Sequence, residues 1–252
     1  MRSAGRADVT GRFVAGLNDD QQDVRLVSAW GLKMAPSSKH EEAATALFDR
    51  FGKESDSSVT HAILDSLTAV ATPAHSDRVR ELLPLLERDQ PMESGLLLEW
   101  KTKAARTVIR VLGPEEAIAL FSTLDASDPG ERLGLEAAVT ALTMYGEFFP
   151  DMDPERLDEL RDQFRVFGIG LLRQETPEEV QRDAGVRSAV VSMLFPLILD
   201  RKRDWREVEV TEIRSAVEAA LPKEQEGSPT ARQMRGILER LERAEFESDK
   251  AR

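Results

Sequence analysis

The sequence predicts an all-α fold, and three observations carry that reading. Apolar residues recur at intervals of three and four along nearly the whole chain, the period of a helix with one buried face. Alternating β-branched stretches are missing: Val208–Thr211 (VEVT) is the one candidate strand, and it runs straight into a helical pattern through Ile213, Val217 and Leu221. Proline starts also recur, at Pro114 (GPEEAIALF), Pro129 (DPGERLGL), Pro154 (DPERLDEL) and Pro177 (TPEEVQRD). Each puts a residue with no N–H to lose at the first helical position and acids in the first turn, where they favour the positive end of the helix dipole.

Taken in order, the punctuation predicts helices at Asp8–Leu17, Gln22–Met34, His40–Phe51 and Ser57–Val70, then Ser76–Glu87, Met92–Leu112 and Pro114–Thr123. Pro129–Tyr145, Pro154–Leu172, Pro177–Leu199 with a break near Pro196, Glu207–Leu221 and Ser228–Phe246 complete the series. The second helix opens on the acid- and amide-rich LNDDQQ, read as a turn and a helix N-terminus, with Val24, Val27 and Leu32 expected in the core and Arg25 at its edge. Asp128, Pro129 and Glu131 form a capping box with a proline start. The polar ends, 1–7 and 247–252, are expected to fray. Gly168 and Gly170 (FGIG) fall inside a helical pattern without phosphate-loop spacing, so both are expected to pack closely on a neighbouring helix.

A chain of 252 residues with a net charge of −12 is repelled as a whole by phosphate backbones and anionic lipid. Nucleic acid is therefore disfavoured as a partner. The chain has no cysteine, which removes disulfides, a thiolate nucleophile and Cys-ligated metal sites and suits a reducing compartment. The N-terminus has no apolar signal core, and the most apolar run, Ala189–Leu199, is too short to span a bilayer and carries Pro196. A cytoplasmic protein with no membrane partner is the expectation.

Setting DVRLVSAWGL (23–32) beside SVTHAILDSL (58–67) puts Val24 over Val59, Ala29 over Leu64 and Leu32 over Leu67, an offset of 35 residues. GVRSAVVSML (185–194) repeats the pattern with Val186, Arg187 and Leu194, and RELLPLLERDQP (80–91) supplies an apolar helix with an internal proline followed by an acidic turn. Leu17, Asp19, Val24, Arg25, Ala29 and Leu32 resemble the HEAT repeat, also seen in related armadillo-like proteins. That resemblance implies one domain over 1–252, a right-handed α-α superhelix of about five or six antiparallel helix pairs, with 228–246 as a C-terminal cap. Repeat spacing departs from a fixed period around 92–112 and 154–199. An ordinary helical bundle is the rival architecture.

Neither a catalytic residue set nor a cofactor-binding or metal-ligating one emerges. His40, His61 and His75 include no i, i+4 pair, and surface or capping roles are expected for them. DMDPERLDEL lacks the glycine of a calcium loop and reads as a capped helix start. DRKRDWR (200–206) gathers four cations around Trp205, read as charges opposing a helix C-terminus rather than as an anchor for an acidic partner. The more informative stripe is Glu99, Lys103, Arg106 and Arg110, at spacings of four, three and four, which places them on one polar helix face. The HEAT resemblance implies that this edge looks onto a concave surface shared with Arg25, Lys33, Asp65 and Glu136.

The leading expectation is a non-enzymatic scaffold binding a protein or peptide on that surface. The alternatives are an enzyme on a HEAT-like scaffold, such as the alkylpurine DNA glycosylases or bilin lyases, and a self-associating structural protein. For the last, the stripe Met234, Ile237, Leu238 and Leu241 is either a terminal cap or a dimer seam.

Overall fold

A computed structural model describes residues 4–87, 94–148, 154–174, 185–199 and 207–250. Among them are twelve α-helices and no strand. The chain divides into two compact units, Met1–Ala117 and Ile118–Arg252.

The first unit holds α1 (Ala4–Gly16), α2 (Gln22–Lys33), α3 (His40–Phe51), α4 (Ser57–Val70), α5 (Leu83–Glu87) and α6 (Ser94–Leu112), with α7 (Pro114–Phe121) running across the division. Helix α1 packs on α2, α3 on α4 and α5 on α6, while α2 lies against α4 and α4 against α6. Their shared core is aliphatic: Ala29, Leu32, Ala44, Leu47, Ile63, Leu64 and Leu67 are all fully buried. Helix α4 is the hub, and its start is set by Asp56, whose Oδ1 accepts from Ser58 N at 2.9 Å and Val59 N at 3.0 Å.

Two expectations change here. Residues 76–87 do not form one helix, because Pro84 cannot donate to the carbonyl of Arg80. The chain instead makes a 3₁₀ turn at Val79–Leu82 and a short α5 with Pro84 in its first turn. On α2, Leu32 is buried but Val24 is 37 % exposed and Val27 57 %; the helix buries Ser28 and Ala29 instead. Two glycine contacts explain the rotation. A Cβ on Gly31 would stand 2.5 Å from the Phe13 ring, and one on Gly16 would stand 2.2 Å from Ser28 Oγ, so α1 sits down on the side of α2 that carries Ser28 and Gly31.

The second unit holds α8 (Pro129–Phe148), α9 (Pro154–Arg173), α10 (Gly185–Leu199), α11 (Glu207–Ala220) and α12 (Pro229–Lys250). Helix α10 touches α8, α9 and α12, and α11 bridges α9 and α12. Its sequence, GVRSAVVSMLFPLIL, is apolar nearly all round, as a helix enclosed by others must be. Gly168 lets α9 approach it: a Cβ there would meet Met193 Cε at 2.8 Å. Gly170 has open space instead, so the close packing expected of both glycines holds for one.

Helix α10 continues through Pro196 without a break, since proline so near a C-terminus leaves only one carbonyl without its helical donor. The VEVT segment is helical within α11. Met234, Ile237 and Leu241 are buried where α12 meets α10 and α11, so that stripe is occupied inside the chain and is not a free dimer seam. The ends are more regular than expected: α1 begins at Ala4 and α12 runs to Lys250. Asp153, Pro177 and the 200–206 cluster lie outside the described residues.

Capping follows the sequence with one variation. Asp128 Oδ1 accepts from Gly130 N at 2.8 Å and Glu131 N at 3.1 Å, but Glu131 Oε2 accepts from Asp125 N at 2.6 Å rather than from its N-cap. The box thus clamps the whole Asp125–Asp128 turn.

Candidate functional site

The polar residues expected to share a surface are partly brought together by the stacking of α2, α4 and α6. Helical spacing puts His61 and Asp65 one turn apart on α4, and Glu99 and Lys103 one turn apart on α6. Asp65 sits in the middle. Its Oδ2 accepts from Lys33 Nζ at 2.6 Å and its Oδ1 from Lys103 Nζ at 2.7 Å. Lys103 Nζ also lies 3.6 Å from Glu99 Oε1, which is 3.7 Å from His61 Nε2. Four of the predicted residues therefore join one ladder of charge across three helices, with His61 added at its end.

Exposure grades along the ladder. The Lys33 and Glu99 side chains are 42 % and 52 % exposed, whereas Lys103 is 13 % exposed. Burial pushes the Asp65 carboxyl up, but hydrogen bonds from Lys103 and Lys33 outweigh it and hold the group below the ordinary aspartate range. Asp65 is thus a fixed anion between two cations. A buried hydrogen bond from Ser66 Oγ to Ala29 O, 2.8 Å, locks α4 to α2 beside it and sets the register that lets Lys33 reach Asp65.

Arg25 does not join this ladder. It lies two turns earlier on α2 and its Nε donates to Glu54 Oε2 at 2.9 Å, while its Nη1 donates to the carbonyls of Asp19 at 3.0 Å and Asp20 at 2.9 Å. Arg50 Nη2 reaches the same Glu54 oxygen at 2.8 Å, and Glu54 Oε1 accepts from Ser55 N at 3.0 Å and Asp56 N at 2.9 Å. Burial would raise the Glu54 pKa; Arg25, the Asp56 amide and Arg50 together bring it down to about 2. Arg25 is therefore a structural residue, pinning the α3–α4 turn to the start of α2.

Arg110 Nε donates to Ala71 O at 2.8 Å and covers the end of α4. Arg106 is half-buried on α6, and Glu136 is half-buried on α8 in the second unit.

One residue that matters was not singled out in the sequence. Lys101 is fully buried and its Nζ donates to Leu86 O at 2.8 Å, tying α6 to the end of α5. Its position between Leu97 and Ala105, four residues from each, is the signal that finds it: a cation on an apolar stripe. His75, expected at the surface or in a cap, is buried: Nδ1 stands 3.1 Å from Thr72 Oγ1 in a capping box and the ring stacks on Phe48 at 5.8 Å. His40 Nε2 lies 3.1 Å from Ala35 O, a local cap. His61 Nδ1 is buried without a hydrogen-bond partner, and its i, i+4 spacing to Asp65 already placed it on the ladder face.

Among the described residues, no group of three or more metal-ligating side chains is placed to hold an ion, and no helix is long and apolar enough to cross a membrane. Compared with known proteins, the chain matches no family model, no curated protein and no solved structure at a significant level. The functional reading therefore rests on the geometry of this chain alone.

Proposed function

We propose that this chain is a non-enzymatic scaffold of HEAT-like, superhelically stacked helix pairs, working in the cytoplasm, which binds a protein or peptide along the α2–α4–α6 edge. One observation carries the reading: Lys33, Asp65, Lys103 and Glu99, from three successive stacked helices, meet in a single half-exposed ladder of alternating charge. The pairing of α1 with α2, α3 with α4 and α5 with α6, together with the neighbour contacts α2–α4 and α4–α6, supports a stack in which each pair covers the apolar side of the next. The offset of 35 residues between α2 and α4 falls within the roughly 20–50 residues typical of repeat units, although it is shorter than the roughly 40–47 of a HEAT unit.

Mixed charge of this kind gives specificity and register more than raw affinity. A partner strand or helix with its own alternating charges exchanges pairs with Lys33 and Glu99, the exposed members, while Asp65 and Lys103 stay as the fixed base. The nucleic-acid alternative has less support, because the cations it needs are engaged: Lys33 and Lys103 on Asp65, Arg25 and Arg50 on Glu54, Arg78 on Asp49 and Glu81.

The test is a charge swap that keeps the ladder whole. In the quadruple variant Lys33→Glu, Asp65→Lys, Glu99→Lys, Lys103→Glu the three internal pairs survive with reversed sign, so the melting temperature is expected to hold. Proteins captured quantitatively by the native chain and lost by the swapped chain are the expected outcome. Equal capture by both, at equal stability, defeats the proposal that this edge is the binding surface.

A further inference from the structure

Large apolar side chains left exposed among the described residues are Val9, Val24, Val27, Trp30, Met34, Val166 and Val208. Five of these seven lie on the α1–α2 hairpin or at its end, and exposed apolar groups that cluster in this way mark interaction surfaces. Trp30 is 50 % exposed and Met34 82 %. Trp is the side chain most often found at the energetic centre of an interface, because it removes a large apolar area from water while losing few rotamers.

Spacing sharpens the patch into a seam. Asp23, Val27, Trp30 and Met34 follow intervals of four, three and four, the a/d pattern by which one helix packs along another. Among the described residues, none covers this face. Helix α1 sits where Phe13 meets Gly31 and Gly16 meets Ser28, and α4 takes the side that buries Ala29 and Leu32.

The seam is also its own complement. A two-fold axis between Ser28 and Ala29 sets Val27 against Trp30 of a second copy and Trp30 against that copy's Val27. The same operation sets Asp23, exposed in the first turn, opposite the other copy's Met34, with that copy's Lys33, exposed in the last turn, one residue away on the flank of the seam. Antiparallel helix dipoles reinforce the arrangement, and a two-fold interface needs such self-complementarity.

We propose that the exposed Asp23–Val27–Trp30–Met34 face of α2 is the interface of a two-fold homodimer, packed antiparallel on α2 of a second copy. The inference stands independently of the binding edge proposed above and shares only Lys33 with it. That lysine already bridges to Asp65, which fixes its stem and leaves part of its ammonium open to a second carboxylate.

Sedimentation equilibrium of the full chain from about 1 to 100 μM tests the proposal; that range spans the weak to moderate affinities of interfaces of modest area. A monomer–dimer equilibrium is expected, and Trp30→Lys is expected to raise Kd at least about tenfold, as loss of a central aromatic anchor does, with an unchanged melting temperature. Asp23→Lys and Lys33→Glu each set like charges together at both ends of a homodimer, so each variant alone is expected to associate more weakly. Mixed in equal amounts they restore opposite charges at both ends, and a heterodimer tighter than either homodimer is expected. A monomer at every concentration overturns the proposal and leaves the face to a different protein. A dimer insensitive to Trp30→Lys, or mixed variants that associate no better than each alone, overturns it as well.

Discussion

Glu54→Gln removes a carboxylate that accepts from four residues of the first unit while keeping its shape. In the native chain that carboxylate accepts from Arg25, Arg50, Ser55 N and Asp56 N, and its side chain is fully buried. A fall in pKa from 4.5 to about 2 corresponds to about 3 kcal/mol at roughly 1.4 kcal/mol per pH unit. Arg25 and Arg50 lie at the margin of the core, 13 % and 17 % exposed, and solvent screening there reduces the gain to about 2 kcal/mol.

The sign follows from a depressed carboxylate pKa. Glu54 contributes stability fully above its unfolded value of 4.5, and the contribution is lost as pH falls from there towards about 2. Urea denaturation of native chain and variant is expected to differ by about 2 kcal/mol near neutral pH, with equal m-values. The difference should stay flat down to about pH 5 and narrow below about pH 4.5, as Glu54 takes up its proton in the unfolded chain while the native carboxylate stays ionised. A difference under about 0.5 kcal/mol at neutral pH, or one that does not narrow in acid, would refute the assignment of Glu54 as an ionised keystone.

Other outcomes follow from the packing. Leu64→Ala, in the fully buried centre of α4, is expected to cost about 2–5 kcal/mol in denaturant titration. Gly31→Ala forces a Cβ to 2.5 Å from the Phe13 ring and is expected to cost about 1–3 kcal/mol, with a change in near-ultraviolet circular dichroism as the ring moves. Gly170→Ala, also inside a helix but facing open space, is expected to stabilise by about 0.5–1 kcal/mol; a loss of stability would contradict the placement of α9. Asp65→Asn is expected to cost about 1 kcal/mol at low ionic strength, with the difference shrinking in about 0.5 M salt because the ladder is partly open to solvent. Its contribution, from a carboxyl held below its ordinary range, is present at neutral pH and lost as acid protonates the group.

Much of the fold was legible before the structure because helix signals are local. Ser57–Val70 and His40–Phe51 fall where apolar spacing and flanking turns put them, and Asp128 caps the helix its proline announces. Part of the site was legible for the same reason: Glu99 and Lys103 are neighbours on any helix. Their link to Asp65 and Lys33 depended on which helices stack and in what register, and the Ser66–Ala29 hydrogen bond that sets it joins residues 37 apart. The pairing of Arg25 was not legible, because nothing near it in sequence reveals Glu54, 29 residues on.

The sequence by itself determined helix positions, their caps, the absence of cysteine chemistry and the acidity of the whole, since each depends on composition or on residues within about two turns of one another. Tertiary structure decided which side of α2 faces inward. Apolar spacing allowed Val24 and Val27 in the core, but α1 packs where Gly16 meets Ser28 and Gly31 meets Phe13, a close approach that only glycine permits and that turns the valines outward. That choice leaves Val27, Trp30 and Met34 in solvent, and with them the surface through which we expect two copies to meet.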